Sequence, residues 1–112
     1  MKIISSPISI AELRGIAQES FGDMVKAVAD IEKKIMVIGG ELHADGEAFL
    51  LDKGSKQNNL WGINIYPDQP RDAWIEFDSM INIRPSQNNR SRTVEDRRIR
   101  EQITSIVNDL IN

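Results

Sequence analysis

Apolar residues recur along nearly the whole chain, and their spacing separates helix-like from strand-like stretches. Ile10, Leu13, Ile16, Ala17 and Phe21 fall at the three- and four-residue intervals of one helix face. Ser9 stands three residues before Glu12, a capping box in which each side chain meets the other's free backbone N–H, and Gly22 is a natural stop. This predicts a helix over 9–21, preceded by a short strand over 2–4. From Met24 to Ile38, Val, Ile and Ala dominate, but Glu32-Lys33-Lys34 interrupts them. Two strands, 24–31 and 35–38, joined by a tight charged turn fit this pattern, with one helix over 23–36 as the competing reading. Ala44, Ala48 and Leu51 favour a short helix over 43–53, although Gly46 weakens it by about 1 kcal/mol relative to alanine. A strand over 47–51 is the alternative.

The next two stretches alternate with period two. Over 60–66, Trp61, Ile63 and Ile65 share one face, and Leu60, Gly62, Asn64 and Tyr66 the other. Pro67-Asp68-Gln69-Pro70 then forces a turn. Over 74–83, Ile75, Phe77, Ser79, Ile81 and Ile83 fall on one face and Glu76, Asp78, Met80 and Asn82 on the other. The alternation predicts a long strand with one buried and one wet face, the usual state of an antiparallel sheet covered by helices on one side. Residues 84–92 form a polar loop. Thr93 with Asp96 opens a last helix in capping fashion, and Ile99, Ile103, Ile106, Val107 and Leu110 give it a continuous apolar stripe.

The elements together predict an α+β domain spanning 1–112. A single layer of four to five mostly antiparallel strands packs against N- and C-terminal helices, with a short middle helix. A length of 112 residues suits one core. Without cysteine, disulfides, thiolate metal sites and a cysteine nucleophile are excluded. No apolar run is long enough to span a membrane, and the N-terminus lacks the apolar core of a signal peptide, so a cytoplasmic location is expected.

The net charge of −3 argues against a protein built to coat nucleic acid, but the charge is unevenly placed. Up to residue 83, eight Lys and Arg stand against thirteen Asp and Glu; beyond it, six arginines stand against four acids. The loop Arg84 to Arg92 combines arginine forks, which match phosphate and carboxylate, with Ser86, Gln87 and Asn89 as neutral donors. It also precedes a helix N-terminus, where free N–H groups favour an anion. The bland alternative is a solvated loop, with Asp96–Arg100 and Arg97–Glu101 as ordinary helical partners.

The second polar segment carries the only histidine. Glu41, His43, Asp45 and Glu47 would project to one side if this stretch were extended, a grouping that could pair a histidine with a carboxylate for general base work. One histidine is a thin set for a metal, so no metal site is assigned. The bland alternative is a polar loop with Asp45 capping a short helix. Glu76 and Asp78 would lie on the polar face of the long strand, and Trp61 and Trp74 suit a core better than base stacking.

The segments Gly39-Gly40-Glu41-Leu42-His43-Ala44-Asp45, Leu60-Trp61-Gly62-Ile63-Asn64-Ile65-Tyr66-Pro67, Ile75-Glu76-Phe77 and Ile81-Asn82-Ile83-Arg84-Pro85-Ser86-Gln87, followed by Asn89-Arg90-Ser91, carry a resemblance. In these the chain resembles a family of small prokaryotic proteins of unknown function and about this length. The resemblance spans nearly the whole sequence. It implies a stand-alone protein, and no activity or cofactor.

Three functions stay open at this point. The favoured one is a binding module that recognises an anion (a nucleotide, a phosphorylated metabolite or an RNA backbone) through Arg84, Ser86, Gln87, Asn89 and Arg90. The second is a small enzyme with His43 as base and Glu41, Asp45 or Asp78 as the orienting carboxylate. The third is a structural or interaction protein, a homodimer formed through an exposed sheet edge.

Overall fold

A computed structural model describes residues Met1–Asn112. The charged turn is a true hairpin turn: the Asp30 carboxylate accepts the backbone N–H groups of Glu32 and Lys33 at 2.9 and 3.0 Å and the Ser55 hydroxyl at 2.6 Å. It joins β2 (Val25–Asp30) to β3 (Ile35–Ile38). β1 (Lys2–Ile4) pairs with the far side of β3, and β4 (Leu60–Ile65) with the far side of β2. β5 (Ile75–Glu76) completes a five-stranded antiparallel sheet of order β1-β3-β2-β4-β5. Three helices accompany it: α1 (Ile10–Glu19), α2 (His43–Asp52) and α3 (Arg97–Leu110). The α+β expectation is met. No helix is long and apolar enough to cross a membrane.

Alternation along the strands builds two cores. Val25, Ala27, Ala29, Met36, Ile38, Trp61, Ile63 and Ile65 pack with Leu13 and Ala17 of α1 and Ile103, Ile106 and Val107 of α3. Each buried branched side chain in this layer contributes about 1.5–3 kcal/mol. A parallel bridge between Ile8 and Ile111 ties the chain ahead of α1 to the end of α3. The opposite face is not wet. Val28, Val37, Leu50 and Leu60 form a second cluster there, with Phe49 and Ile81 packed against it. Helix α2 covers that face.

Two local expectations are corrected. The strand read over 74–83 stops after Glu76, and Met80–Asn82 form a 3-10 turn opened by the Ser79 hydroxyl. Ile75 and Phe77 pack on the α1/α3 side, whereas Ile81 packs on the α2 side, so the chain crosses the sheet edge between them. In place of a strand, the Asn82 carboxamide pairs with one residue of β4: it accepts from Gly62 N–H at 2.8 Å and donates to Gly62 C=O at 3.0 Å. Gly62 is required there, because a Cβ would lie 2.6 Å from the Ser79 side chain. At α3 the cap is Asp96 itself, accepting from Arg98 N–H at 2.8 Å, and not a Thr93–Asp96 pair. The Ser9 cap of α1 forms as expected, while the Glu12 carboxylate turns to Lys2.

Gly46 brings α2 onto the sheet. A Cβ at this position would meet Val28 Cγ2 at 2.9 Å and Val37 Cγ1 at 3.1 Å. Alanine is the better helix former by about 1 kcal/mol, but overpacking a filled interface costs about 1–3 kcal/mol. Gly46→Ala is therefore expected to lower the unfolding free energy by about 1 kcal/mol in urea denaturation; a stabilised variant would contradict this close approach.

Candidate polar cleft at the start of helix α2

Leu42 occupies the N-cap of α2 and has no side-chain acceptor to offer. Asp45 and Gly46 N–H turn back to Leu42 C=O at 3.2 and 3.5 Å, and the N–H groups of His43 and Ala44 find no acceptor in the protein. Helices α1 and α3, by contrast, are capped by Ser9 and Asp96. Free N–H groups at a helix start carry partial positive charge and favour an anion. The residues of this first turn border a cleft of about 240 Å³, lined by Leu42, His43 and Ala44 on one side and by strand and loop residues on the other.

The His43 ring turns towards the sheet, where Nε2–H donates to Ile63 C=O at 2.8 Å. That bond selects the tautomer, because a carbonyl only accepts. Burial is the main cause holding the imidazole below its usual value of 6.5; the Ile63 bond, Asp78 and a hydrogen bond with the Asn64 side chain oppose it, and Lys26 adds to it. The ring is thus neutral at pH 7, and Nδ1 is left as an acceptor.

The facing wall comes from β4 and the chain after β5. Asn64 is 4% exposed and lines the cleft; its amide nitrogen donates to Glu76 Oε1 at 2.8 Å and Asp78 C=O at 3.3 Å. Its Oδ1 has no partner. Asp78 pairs with Arg92 through both carboxylate oxygens, at 2.8 and 3.2 Å. Lys26 of β2 also lines the cleft; its ammonium lies 5.4 Å from the Phe21 ring and meets no carboxylate. Leu42 and Met80, 60% and 67% exposed, stand at the rim, with Ile81 inside.

Of the residues expected to act with the histidine, Asp78 shares its cleft. Glu41 and Asp45 are exposed and do not line it. Because α2 begins at His43, the one-sided row of Glu41, His43, Asp45 and Glu47 does not exist; a strand would have made it, and a helix disperses it. No group of three or more His, Asp and Glu side chains converges where a metal ion could sit.

The 84–92 loop uses most of its polar groups internally. The Arg84 guanidinium donates to Leu60 C=O at 2.6 Å and to Gln57 C=O, and lies 4.1 Å over the Trp61 ring. Burial lowers its pKa, and Glu47 opposes that shift. Asn89 is buried and binds Asn82, Ser91 and Thr93 carbonyls while accepting from Glu95 N–H. Gln87 donates to Asn58 C=O at 3.1 Å, and Ser86 and Arg90 face solvent. The loop does hold an anion, but it is the protein's own. Glu95 Oε2 accepts Arg90 N–H at 2.7 Å and Ser91 N–H and hydroxyl at 2.9 Å.

Lys26 and Asn64 were not singled out by sequence reasoning, and Arg92 entered it only as the end of the 84–92 loop. A lone polar residue between Ile63 and Ile65 in an otherwise apolar strand, Asn64, was the available signal.

These features define a two-core α+β domain with a cleft at an uncapped helix start. The chain belongs to a family of proteins of unknown function, DUF5674, whose model matches residues 2–110. Neither the curated proteins nor the solved structures contain a match to it.

The Glu95 contacts carry a pH dependence. The Ser91 hydroxyl and the Ser91 and Arg90 N–H groups hold this carboxyl below its usual range. A lowered folded-state pKa means stabilisation that is full above the ordinary glutamate value and lost as pH falls through the lowered one. Amide hydrogen exchange at Arg90 and Ser91 is expected to accelerate, relative to intrinsic rates, as pH drops below about 4. In Glu95→Gln it should be fast already at neutral pH. Unchanged protection in that variant would show the carboxylate does not order the loop.

Proposed function

We propose that the protein is a binding module for a small anionic metabolite, held in the cleft between α2 and β4. The observation that carries this reading is the convergence on one cleft of an uncapped helix start and two cationic side chains, Lys26 and Arg92. Asp78 offsets only one of these charges, so the cleft is net positive within a chain whose net charge is −3. An anion at this point would supply the missing cap and pair with Lys26.

This reading keeps the anionic ligand expected from the sequence and moves it from the loop face to the cleft. Binding on the loop itself would have to rest on Ser86 and Arg90, since Arg84 and Asn89 are buried and engaged. A nucleotide or an RNA backbone would need more room than the cleft offers, because pockets for drug-sized ligands span about 300–1,000 Å³. Catalysis by His43 has less support: its ring is anchored by a main-chain carbonyl, and no carboxylate bonds to it.

Calorimetric titration against carboxylate and phosphate metabolites, nucleotides and single-stranded RNA tests the proposal. Lys26→Ala and Arg92→Ala should each weaken binding of the responding ligand about tenfold, as expected for loss of one charge-assisted contact. Arg90→Ala should leave it unchanged. The reverse pattern, with steep salt dependence, would move the ligand to the loop and favour RNA.

A further inference from the structure

The free edge of β5 carries backbone groups that the fold leaves unspent. Tyr66 N–H donates to Trp74 C=O at 2.9 Å, and the register sets Asn64 opposite Glu76 and Ile65 opposite Ile75. Bonded and non-bonded pairs alternate in an antiparallel ladder, so Glu76 turns its N–H and C=O to β4, while Ile75 and Phe77 turn theirs outward. Neither the N–H nor the C=O of Phe77 meets a partner in the protein. β5 is the last strand on this side of the sheet.

A groove runs beside this edge. α3 forms one bank through Arg100, Thr104 and Val107, and Trp74, Ile75 and Phe77 form the other. Its two parts, of about 500 and 390 Å³, share Phe77 and Thr104. Ile75 and Phe77 are half-buried against the larger core, so a strand laid along β5 would continue the sheet and turn alternate side chains into the groove. The guanidinium groups of Arg71, Arg97 and Arg100 line the groove, against the carboxylates of Asp72 and Glu101. Arg97 pairs with Glu101, but Arg71 donates to Asn108 Oδ1 and Ile111 C=O, and Arg100 to Val94 and Glu95 C=O. With only neutral acceptors, these two guanidinium groups favour carboxylates on an incoming strand. Arg100 and Asn108, which holds Arg71, lie about 12 Å apart along α3, and four residues of a strand span about 13 Å.

We infer that this edge takes an extended segment of a partner protein, whose groove-facing positions carry an apolar residue at the centre and acidic residues two places before and after it. The segment adds to β5 as a sixth strand. Ile75 and Phe77 bond its main chain, the groove takes its alternate side chains, and Arg71 and Arg100 meet its carboxylates. A second copy of the chain fits less well. Bonding Ile75 and Phe77 to the same two residues of a copy sets Glu76 directly opposite Glu76, and like charges so placed destabilise the pairing. The groove shares no lining residue with the cleft between α2 and β4, so the two sites are independent.

The test selects binders to the full chain from a displayed library of random decapeptides, then synthesises and titrates them. Selected peptides should show the acidic–apolar–acidic pattern at alternate positions, and their binding should slow amide hydrogen exchange at Ile75 and Phe77. N-methylation of alternate peptide amides should abolish binding in one register and leave it within about twofold in the other, since only one set of N–H groups faces β5. Affinity should fall about threefold in Arg97→Gln and rise about threefold in Glu101→Gln, two exposed positions, and Lys26→Ala should leave it unchanged. A library that yields no binder would overturn the inference, as would peptides that bind without slowing exchange at Ile75 and Phe77 or with no dependence on the methylated register. Concentration-dependent dimerisation in light scattering, with those two amides protected in the dimer, would also overturn it and assign the edge to a second copy.

Discussion

Helix α2 lies so close to the sheet that only a glycine fits at their contact, and the candidate site depends on that approach. Gly46 lets the helix backbone rest on Val28 and Val37, which puts His43, one turn earlier, within hydrogen-bonding reach of Ile63 C=O. Gly46 also weakens the helix by about 1 kcal/mol, but burial of Leu50 alone returns about 1.5–3 kcal/mol. The helix therefore owes its stability to tertiary packing. Its first turn is left without a side-chain cap because Leu42 serves as the N-cap and can supply none.

The opposite wall of the cleft is held by side chains acting as backbone. On its β5 side β4 lacks a strand partner at Gly62, and Asn82 supplies a carboxamide that accepts and donates there as a peptide group would. Asn89, buried seven residues on, binds Asn82 C=O and three neighbouring main-chain groups. These amides carry the segment from Asp78 to Arg92 over the sheet edge and place both residues at the cleft. Arginine and amide residues that resemble an anion site in the sequence thus serve mainly to fold the segment. The exposed Asp78–Arg92 pair adds little to stability, since such pairs are worth about 0–1 kcal/mol. Its consequence is to fix the position of two charges.

Much of the fold was legible because it is set by near neighbours. Ser9 and the Ile10–Ala17 stripe define α1, Asp30 and the Glu32-Lys33-Lys34 turn define the β2–β3 hairpin, and the stripe from Ile99 to Leu110 defines α3. The strand over 74–83 was misread because Ile75, Phe77 and Ile81 keep period two while the backbone bends between them. Periodicity reports that a residue is buried, not which layer buries it, and here two apolar layers lie on opposite sides of one sheet. The wet face was misjudged for the same reason: it is covered by α2, whose short and weak pattern gave no sign of where it would pack.

The sequence by itself determined the α+β class and the two flanking helices, and it favoured the hairpin over a competing helix. Only tertiary structure decided that Arg84 and Asn89 bind main-chain carbonyls while Glu95 binds the loop's N–H groups, and that Lys26, His43, Asn64, Asp78 and Arg92 share a cleft. Whether a polar group is spent or free depends on which carbonyls and carboxylates, distant along the chain, arrive beside it. The Arg84 guanidinium meets the Leu60 and Gln57 carbonyls, and the Lys26 ammonium meets no carboxylate.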